Sequence, residues 1–228
     1  MAFNEVQTLR AVVEEIESSL SRTRWRHETV IVDDGSTDGT GATADSIAKA
    51  VPTVRVVHHS ENRGIGEVYK SGFDAAQGQV LTFLPADGQF PATIVAEFLD
   101  LIGRADLVLG HLQVEQRGWF ARSLSASERF LYRLMFGRLP RFQGIMMFRK
   151  HLLSILGVEA GGRGWGVLME IIVKAQRAGC RIVSVPTDVR PRQVGRSRAA
   201  TVAAVRSNLA QAGRLWVSLR SWRPTDSE

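Results

Sequence analysis

The stretch Thr29-Val30-Ile31-Val32-Asp33-Asp34-Gly35-Ser36-Thr37-Asp38-Gly39-Thr40 decides how this chain is read. An apolar, β-branched run ends at two adjacent carboxylates, and a turn of Gly, Ser, Thr and Asp follows. Strands buried on both faces of parallel sheets have this composition, and their carboxyl ends are where open α/β folds hold ligands. Two acids at such an edge can accept hydrogen bonds from a base or a ribose, while Ser36, Thr37 and Asp38 can cap the next helix. Taken alone, the segment also reads as an ordinary strand-to-helix turn whose acids only cap.

Outward from this turn the pattern repeats. Strand-like runs recur at Val54–Val57, Val80–Leu84 and Asp106–Leu109. Helical patterns separate them near Thr40–Ala50, Gly66–Ala76 and Pro91–Ile102, and Pro91 suits a first helical turn. Upstream, Asn4 is placed to cap a helix whose apolar face is Val6, Leu9, Val13, Ile16 and Leu20. Alternation at this pitch predicts a parallel sheet covered on both faces. After Gly110 the pattern changes. Trp119–Phe136 reads as a basic amphipathic helix, Gly144–Arg149 as a short strand and Trp165–Ala178 as a helix. Arg181–Val185 reads as a strand ended by Pro186, and Ala199–Leu219 as a last helix with Val202, Val205, Leu209, Trp216 and Leu219 on one stripe.

Composition bounds the reading. A chain of 228 residues, 44% hydrophobic, can bury one sizeable core. The single cysteine, Cys180, excludes an intramolecular disulfide and fits a reducing compartment. No apolar run approaches the roughly 20 residues needed to span a bilayer, and no signal peptide opens the chain, which predicts a soluble or peripheral protein. The net charge of +6 is unevenly spread. Arg190 to Arg223 holds no acid, and Arg117 to Lys150 only Glu128. Nucleic acid is an unsuitable partner, because zinc spacing, a helix-turn-helix signal and RNA-binding aromatics are all missing. An anionic membrane surface suits better, since Trp119, Phe120, Trp216 and Trp222 interleave with the arginines. His58 and His59 end a strand side by side without other ligands at metal spacing, and read as structural or exposed.

Three further motifs accompany the acidic turn in order: Ala2-Phe3-Asn4-Glu5, Asn62-Arg63-Gly64-Ile65-Gly66 and Pro85-Ala86-Asp87-Gly88-Gln89. Together they resemble the nucleotide-sugar half of a family 2 glycosyltransferase. More narrowly, residues 2 to about 198 resemble the dolichyl- or polyprenyl-phosphate mannosyltransferase-like branch. The resemblance implies an α/β fold of the GT-A, nucleotide-diphospho-sugar transferase type, with a mostly parallel sheet flanked by helices. It implies a transferase domain over 1–198, with a nucleotide-sugar half (1–110) and an acceptor half (111–198), then a basic amphipathic helix and tail (199–228). The family carries a strand and a proline before Ala-Phe-Asn-Glu. Met1 stands in the proline's place, so that strand is expected to be missing or replaced by another segment.

The same resemblance assigns the donor to Phe3, Glu5, Asp33 or Asp34, Gly64, Asp87 and Gln89. Gly64 and Gly66 would let the backbone approach a phosphate at a helix start. The family's Asp-x-Asp metal motif is altered here: Pro85 takes its first place. Asp87, with Gln89, is left to hold Mg2+ or Mn2+, ions that use one or two carboxylates plus substrate phosphates; Asp87 as a plain turn residue is the alternative. A lipid phosphate is already ionised and needs cations rather than a general base, which suits the arginine-rich second half. Arg122-Ser123-Leu124-Ser125 resembles the branch's basic-plus-Ser stretch. Pro191–Arg198 resembles its Arg-x-x-Gly-Lys-Ser-Lys loop, with arginine in both lysine places. Arg122, Ser125, Arg192 and Arg196 are thereby assigned to the acceptor phosphate, and Asp87 and Arg192 to catalysis. Glu170 matches a family Glu that orients the acceptor side, or is a buried partner for an arginine. The implied activity moves a hexose from a nucleotide diphosphate sugar to a polyprenyl phosphate at the cytoplasmic membrane face, by single inverting displacement. Two alternatives stand beside it: a same-fold transferase with a soluble or glycan acceptor, and a catalytically silent nucleotide-sugar-binding protein.

Overall fold

The β-branched runs become the strands expected of them. β1 (Thr29–Asp33) pairs in parallel with β2 (Val54–His58), in register from Thr29↔Val54 to Asp33↔His58. A second sheet has the order β3 (Val80–Thr82), β5 (Met146–Arg149), β4 (Leu107–Leu112), β6 (Ile182–Thr187). β5 runs antiparallel to both neighbours, while β4 and β6 are parallel. This computed structural model describes residues 1–112, 131–159, 164, 166–191 and 202–224, the side chains of 202–208 excepted.

Met1 and Ala2 join the two sheets. Ala2 N–H donates to Val32 O, Asp34 N–H to Ala2 O and Ala86 N–H to Met1 O, each at 2.9 Å. Ala2 forms an isolated parallel bridge to Asp33. The place assigned by sequence to a missing strand is thus taken, for one rung, by these two residues, whose bonds pair backbone groups otherwise unpaired at the seam.

Helices α1 (Leu9–Leu20), α2 (Thr40–Ala50), α3 (Ile65–Ala75) and α4 (Thr93–Ile102) alternate with the first strands. The acceptor half adds α5 (residues 131–136), α6 (Leu152–Leu156), α7 (Gly166–Arg177) and α8 (Val202–Ser218). Leu107, Val108, Leu109, Met146, Met147 and Phe148 are all buried, because α3, α4 and α7 cover the four-stranded sheet. Phe148 meets Phe73 of α3 edge-on at 5.2 Å. Burying side chains of this size contributes roughly 1.5–3 kcal/mol each. A separate cluster of Phe136, Val173, Ala212, Leu215 and Leu219 ties α5 and α8 to α7.

The structure corrects several expectations. Asn4 does not cap a helix: it lies at φ +57°, and its Oδ1 accepts Thr37 N–H at 2.9 Å. α1 begins at Leu9 instead. β3 stops at Thr82, two residues early, and Leu84 and Ala86 bond to Met1. Pro186 does not end β6, which continues to Thr187, because among the described residues β6 is an edge strand, where a proline is tolerated. Trp222 does not join an exposed basic surface. Its Nε1–H donates to Leu156 O at 3.0 Å, and its ring lies 5.5 Å from Lys174 Nζ. Lys174 in turn is 2.6 Å from Glu170 Oε1, both side chains being buried. Glu170 therefore has a lysine partner where the sequence reading offered an arginine.

Candidate functional site

Parallel pairing brings the strand ends together. β1 and β2 share a direction, as do β3, β4 and β6. Met1 bonds to Leu84 O and Ala86 N in the parallel pattern, which aligns the two groups. The carboxyl ends therefore meet along one edge, with His58 and His59, then Asp33 and Asp34, then Asp87, then Thr187 leading to Arg190.

The Ala2–Glu5 segment is stitched onto the acidic turn. Asn4 N–H donates to Ser36 Oγ at 2.9 Å, Glu5 N–H to Thr40 Oγ1 at 2.8 Å and Val6 N–H to Asp38 Oδ2 at 3.2 Å. These bonds hold the segment with half-buried Phe3 and Glu5 against the turn that follows β1. Gly35 (φ +69°) is required here: a Cβ on it would lie 2.4 Å from the carbonyl carbon of Glu61, so the turn packs directly on the His59–Gly64 loop.

The two acids, interchangeable in the sequence, have different duties. Asp34 accepts His59 Nδ1–H (2.7 Å) and Arg63 N–H (2.9 Å) on Oδ1, and Asn62 Nδ2–H and Gly64 N–H (both 3.0 Å) on Oδ2. Four donors are about what a carboxylate can take. Asp34 therefore holds the His59–Gly64 loop through both of its oxygens. Gly64 likewise contributes its conformation (φ +93°) and not its N–H, which Asp34 has taken. The amides of Ile65 and Gly66, first in α3, have no acceptor inside the helix and face the anion-favouring end of its dipole.

Asp33 is buried but less engaged. Its Oδ1 accepts Ser36 N–H at 3.2 Å, and its Oδ2 lies 3.2 Å from His58 Nδ1. His58 Nε2 in turn lies 3.0 Å from Asp45 Oδ1 on α2. The two histidines are site-building residues that the sequence reading set aside. The signal was the register: a residue ending β2 sits opposite Asp33. A Cβ on Gly41 of α2 would come within 2.7 Å of Asp33 Oδ2. Gly41→Ala, in the first turn of α2, is expected to weaken nucleotide binding without a gain in melting temperature, because the added methyl meets Asp33 Oδ2. Differential scanning fluorimetry with and without nucleotide reads both.

Asp87 occupies the turn after β3, half-buried, with Oδ1 accepting Gln89 N–H at 3.1 Å and Gly88 at φ +71°. Gln89 O accepts Arg190 N–H at 2.7 Å. Arg190 forks Glu15 with bonds of 2.8 and 2.9 Å, and this contact holds the Glu15 carboxyl below its ordinary range. The basic loop thus leaves β6 beside the Asp87 turn. Arg122, Ser125, Arg192 and Arg196 lie outside the described residues. Among the described residues no group of three or more His, Cys, Asp or Glu side chains is arranged to hold a metal. One carboxylate on a tight turn suits a divalent ion held largely by substrate phosphates.

The glycosyl transferase family 2 profile matches residues 1–157, and the chain belongs to that family. It is a glycosyltransferase of the polyprenyl-phosphate mannosyltransferase-like branch. It is 28% identical over 207 residues to the undecaprenyl-phosphate mannosyltransferase of Micrococcus luteus, covering 86% of this chain and 84% of that one. Against the polyprenol monophosphomannose synthase of Mycolicibacterium smegmatis it is 32% identical over 184 residues, covering 74% and 69%. In fold it is similar to glucosyl-3-phosphoglycerate synthase from Mycobacterium tuberculosis, solved with Mn2+, UDP and glucosyl-3-phosphoglycerate. The TM-score is 0.71 at 24% identity, over 99% of this chain and 79% of that one. The fold is therefore of the GT-A type.

Proposed function

We propose that this enzyme transfers a hexose, with mannose the first to test, from a nucleotide diphosphate sugar to a polyprenyl phosphate by single inverting displacement. The carrying observation is that Asp33, the start of α3, Asp87 and the root of the basic loop at Arg190 meet on one edge of the sheet. The relatives' names support the acceptor.

In this reading Phe3, Glu5 and Asp33 bind the nucleoside, with the carboxylates accepting from base N–H or ribose hydroxyl. The first amides of α3 face the diphosphate. Asp87, with Gln89, would hold Mg2+ or Mn2+, which neutralises charge growing on the departing diphosphate. Arg122, Ser125, Arg192 and Arg196 bind and orient the acceptor phosphate, whose ionised oxygen attacks without a base. No helix among the described residues is long and apolar enough to cross a membrane. Exposed Leu134 and Val217, with Arg220 stacked 4.2 Å over Trp216, support docking on an anionic lipid surface at the cytoplasmic face.

Transfer of mannose from GDP-mannose to a short-chain polyprenyl phosphate, beside the parent alcohol and 3-phosphoglycerate, tests the reading. Arg192→Ala and Arg196→Ala are each expected to reduce transfer to the lipid phosphate roughly ten- to a hundredfold, the effect of losing about 1.5–3 kcal/mol of charge-assisted hydrogen bonding. Nucleotide affinity should change far less. Transfer to the soluble acceptor alone, indifferent to both arginines, would replace this reading with the soluble-acceptor one.

A further inference from the structure

We infer that His58 is a positioning residue of the donor site, which in its imidazolium form fixes the Asp33 carboxylate toward the nucleoside and uses Asp45 as its outer anchor. The inference rests on the assignment of Asp33 to the donor. Its geometry differs in kind from that of the neighbouring histidine. His59 Nδ1 faces Asp34, but its Nε2 faces Ser71 Oγ at 2.9 Å, and a hydroxyl can donate or accept. A neutral ring satisfies both contacts.

His58 lies between two carboxylates, Asp33 at 3.2 Å and Asp45 at 3.0 Å. A carboxylate only accepts, so both contacts are hydrogen bonds only when both ring nitrogens carry protons. A neutral His58 keeps one bond and turns a lone pair on the other acid. Among the described residues the charged groups bonded to it are Asp33 from β1 and Asp45 from α2. The adjacent ring, His59, points to the opposite face, toward Asp34 and Ser71 of α3. The contact with Asp45 raises the His58 pKa above its ordinary value, partial burial opposes the shift, and Asp33 adds to it. The side chain is 43% exposed, so protons reach it from solvent.

The imidazolium acts on the donor in two ways. It holds a carboxylate that lies close against α2, where a Cβ on Gly41 would meet Asp33 Oδ2 at 2.7 Å and the His58 ring at 3.4 Å. It also offsets charge in a turn that carries Asp33, Asp34 and Asp38 next to an anionic ligand. The sign follows. The raised pKa means His58 is charged below about 6.5, its ordinary value, and discharges as pH rises through the higher folded value. Donor affinity and the His58 share of folding stability are both full at the acidic end and are lost in that window.

Nucleotide sugars suit the test because their diphosphate does not titrate near neutral pH. GDP-mannose and UDP-glucose are titrated calorimetrically with Mg2+ into the full chain from about pH 6 to about pH 9, and the His58 Cε1 proton is followed by NMR. The wild type should bind roughly tenfold more weakly at the alkaline end, the scale of one charge-assisted hydrogen bond. His58→Gln, with a single uncharged N–H donor group, should flatten the profile. Asp45→Asn, at an exposed position, should move both the NMR titration and the affinity loss to lower pH. A His58 that titrates at or below the ordinary histidine value overturns the inference and leaves the functional reading standing, as does an Asp45→Asn protein with an unmoved profile. Failure of the wild type to bind either nucleotide sugar overturns the donor assignment and this inference with it.

Discussion

Asp34→Ala is expected to remove about 3–5 kcal/mol of folding stability, because it strips the acceptor from several buried donors, each of which costs about 1–3 kcal/mol when left unsatisfied. Asp34 and His59 are both buried. The carboxylate also takes the Asn62 side-chain amide and the N–H groups of Arg63 and Gly64. Alanine would leave four donors facing a cavity. Against a typical total of about 5–15 kcal/mol, the loss brings the protein close to its unfolding threshold. Asp34→Asn should fall between the two, because the amide oxygen still accepts while its NH2 turns on other donors. Urea unfolding reads the result as a fall in midpoint at constant slope. A loss under about 1 kcal/mol would show that the loop is held elsewhere, since that is the scale of one ordinary hydrogen bond.

That prediction was not available from the sequence, and the reason is geometric. Adjacent residues on a strand point to opposite faces, so Asp33 and Asp34 differ in role as soon as β2 is placed beside β1. Composition identified β1 and β4, because a strand covered on both faces must be apolar along its length, and it identified β2 by its β-branched valines, although Arg55 and His58 are exposed. It also identified the edge that carries the acids. Element boundaries were less legible wherever a tertiary partner competed with a local rule. Asn4 is a good cap by itself, yet Thr37 N–H and Ser36 Oγ claim it. Pro186 is a good strand terminator, yet among the described residues β6 pairs with β4 alone. Trp222 among arginines looks like a surface residue, but Leu156 O takes its N–H. The histidines were legible as neighbours and illegible as partners, since 25 residues separate His58 from Asp33 and only the register joins them.

Asp87→Asn is expected to lower turnover by about a hundred- to a thousandfold, the scale for removing one preorganised electrostatic contributor from an active site. Pro85 stands in the first position of the family's metal motif, which leaves Asp87 as its single carboxylate. Asparagine is close in size and can still accept Gln89 N–H, so the turn should persist and the loss should report on charge. Donor affinity without metal should be nearly unchanged, whereas the gain from adding Mg2+ or Mn2+ should disappear. Pro85→Asp gives the opposite sign. It supplies a second carboxylate at the motif and should tighten metal binding, since divalent ions gain affinity with ligand charge. The two variants are compared in sugar transfer across a metal titration, with chelator as the zero point. An Asp87→Asn enzyme that keeps full activity in excess chelator would remove the metal from this site, and Asp87 would revert to a residue that only shapes the turn before Pro91.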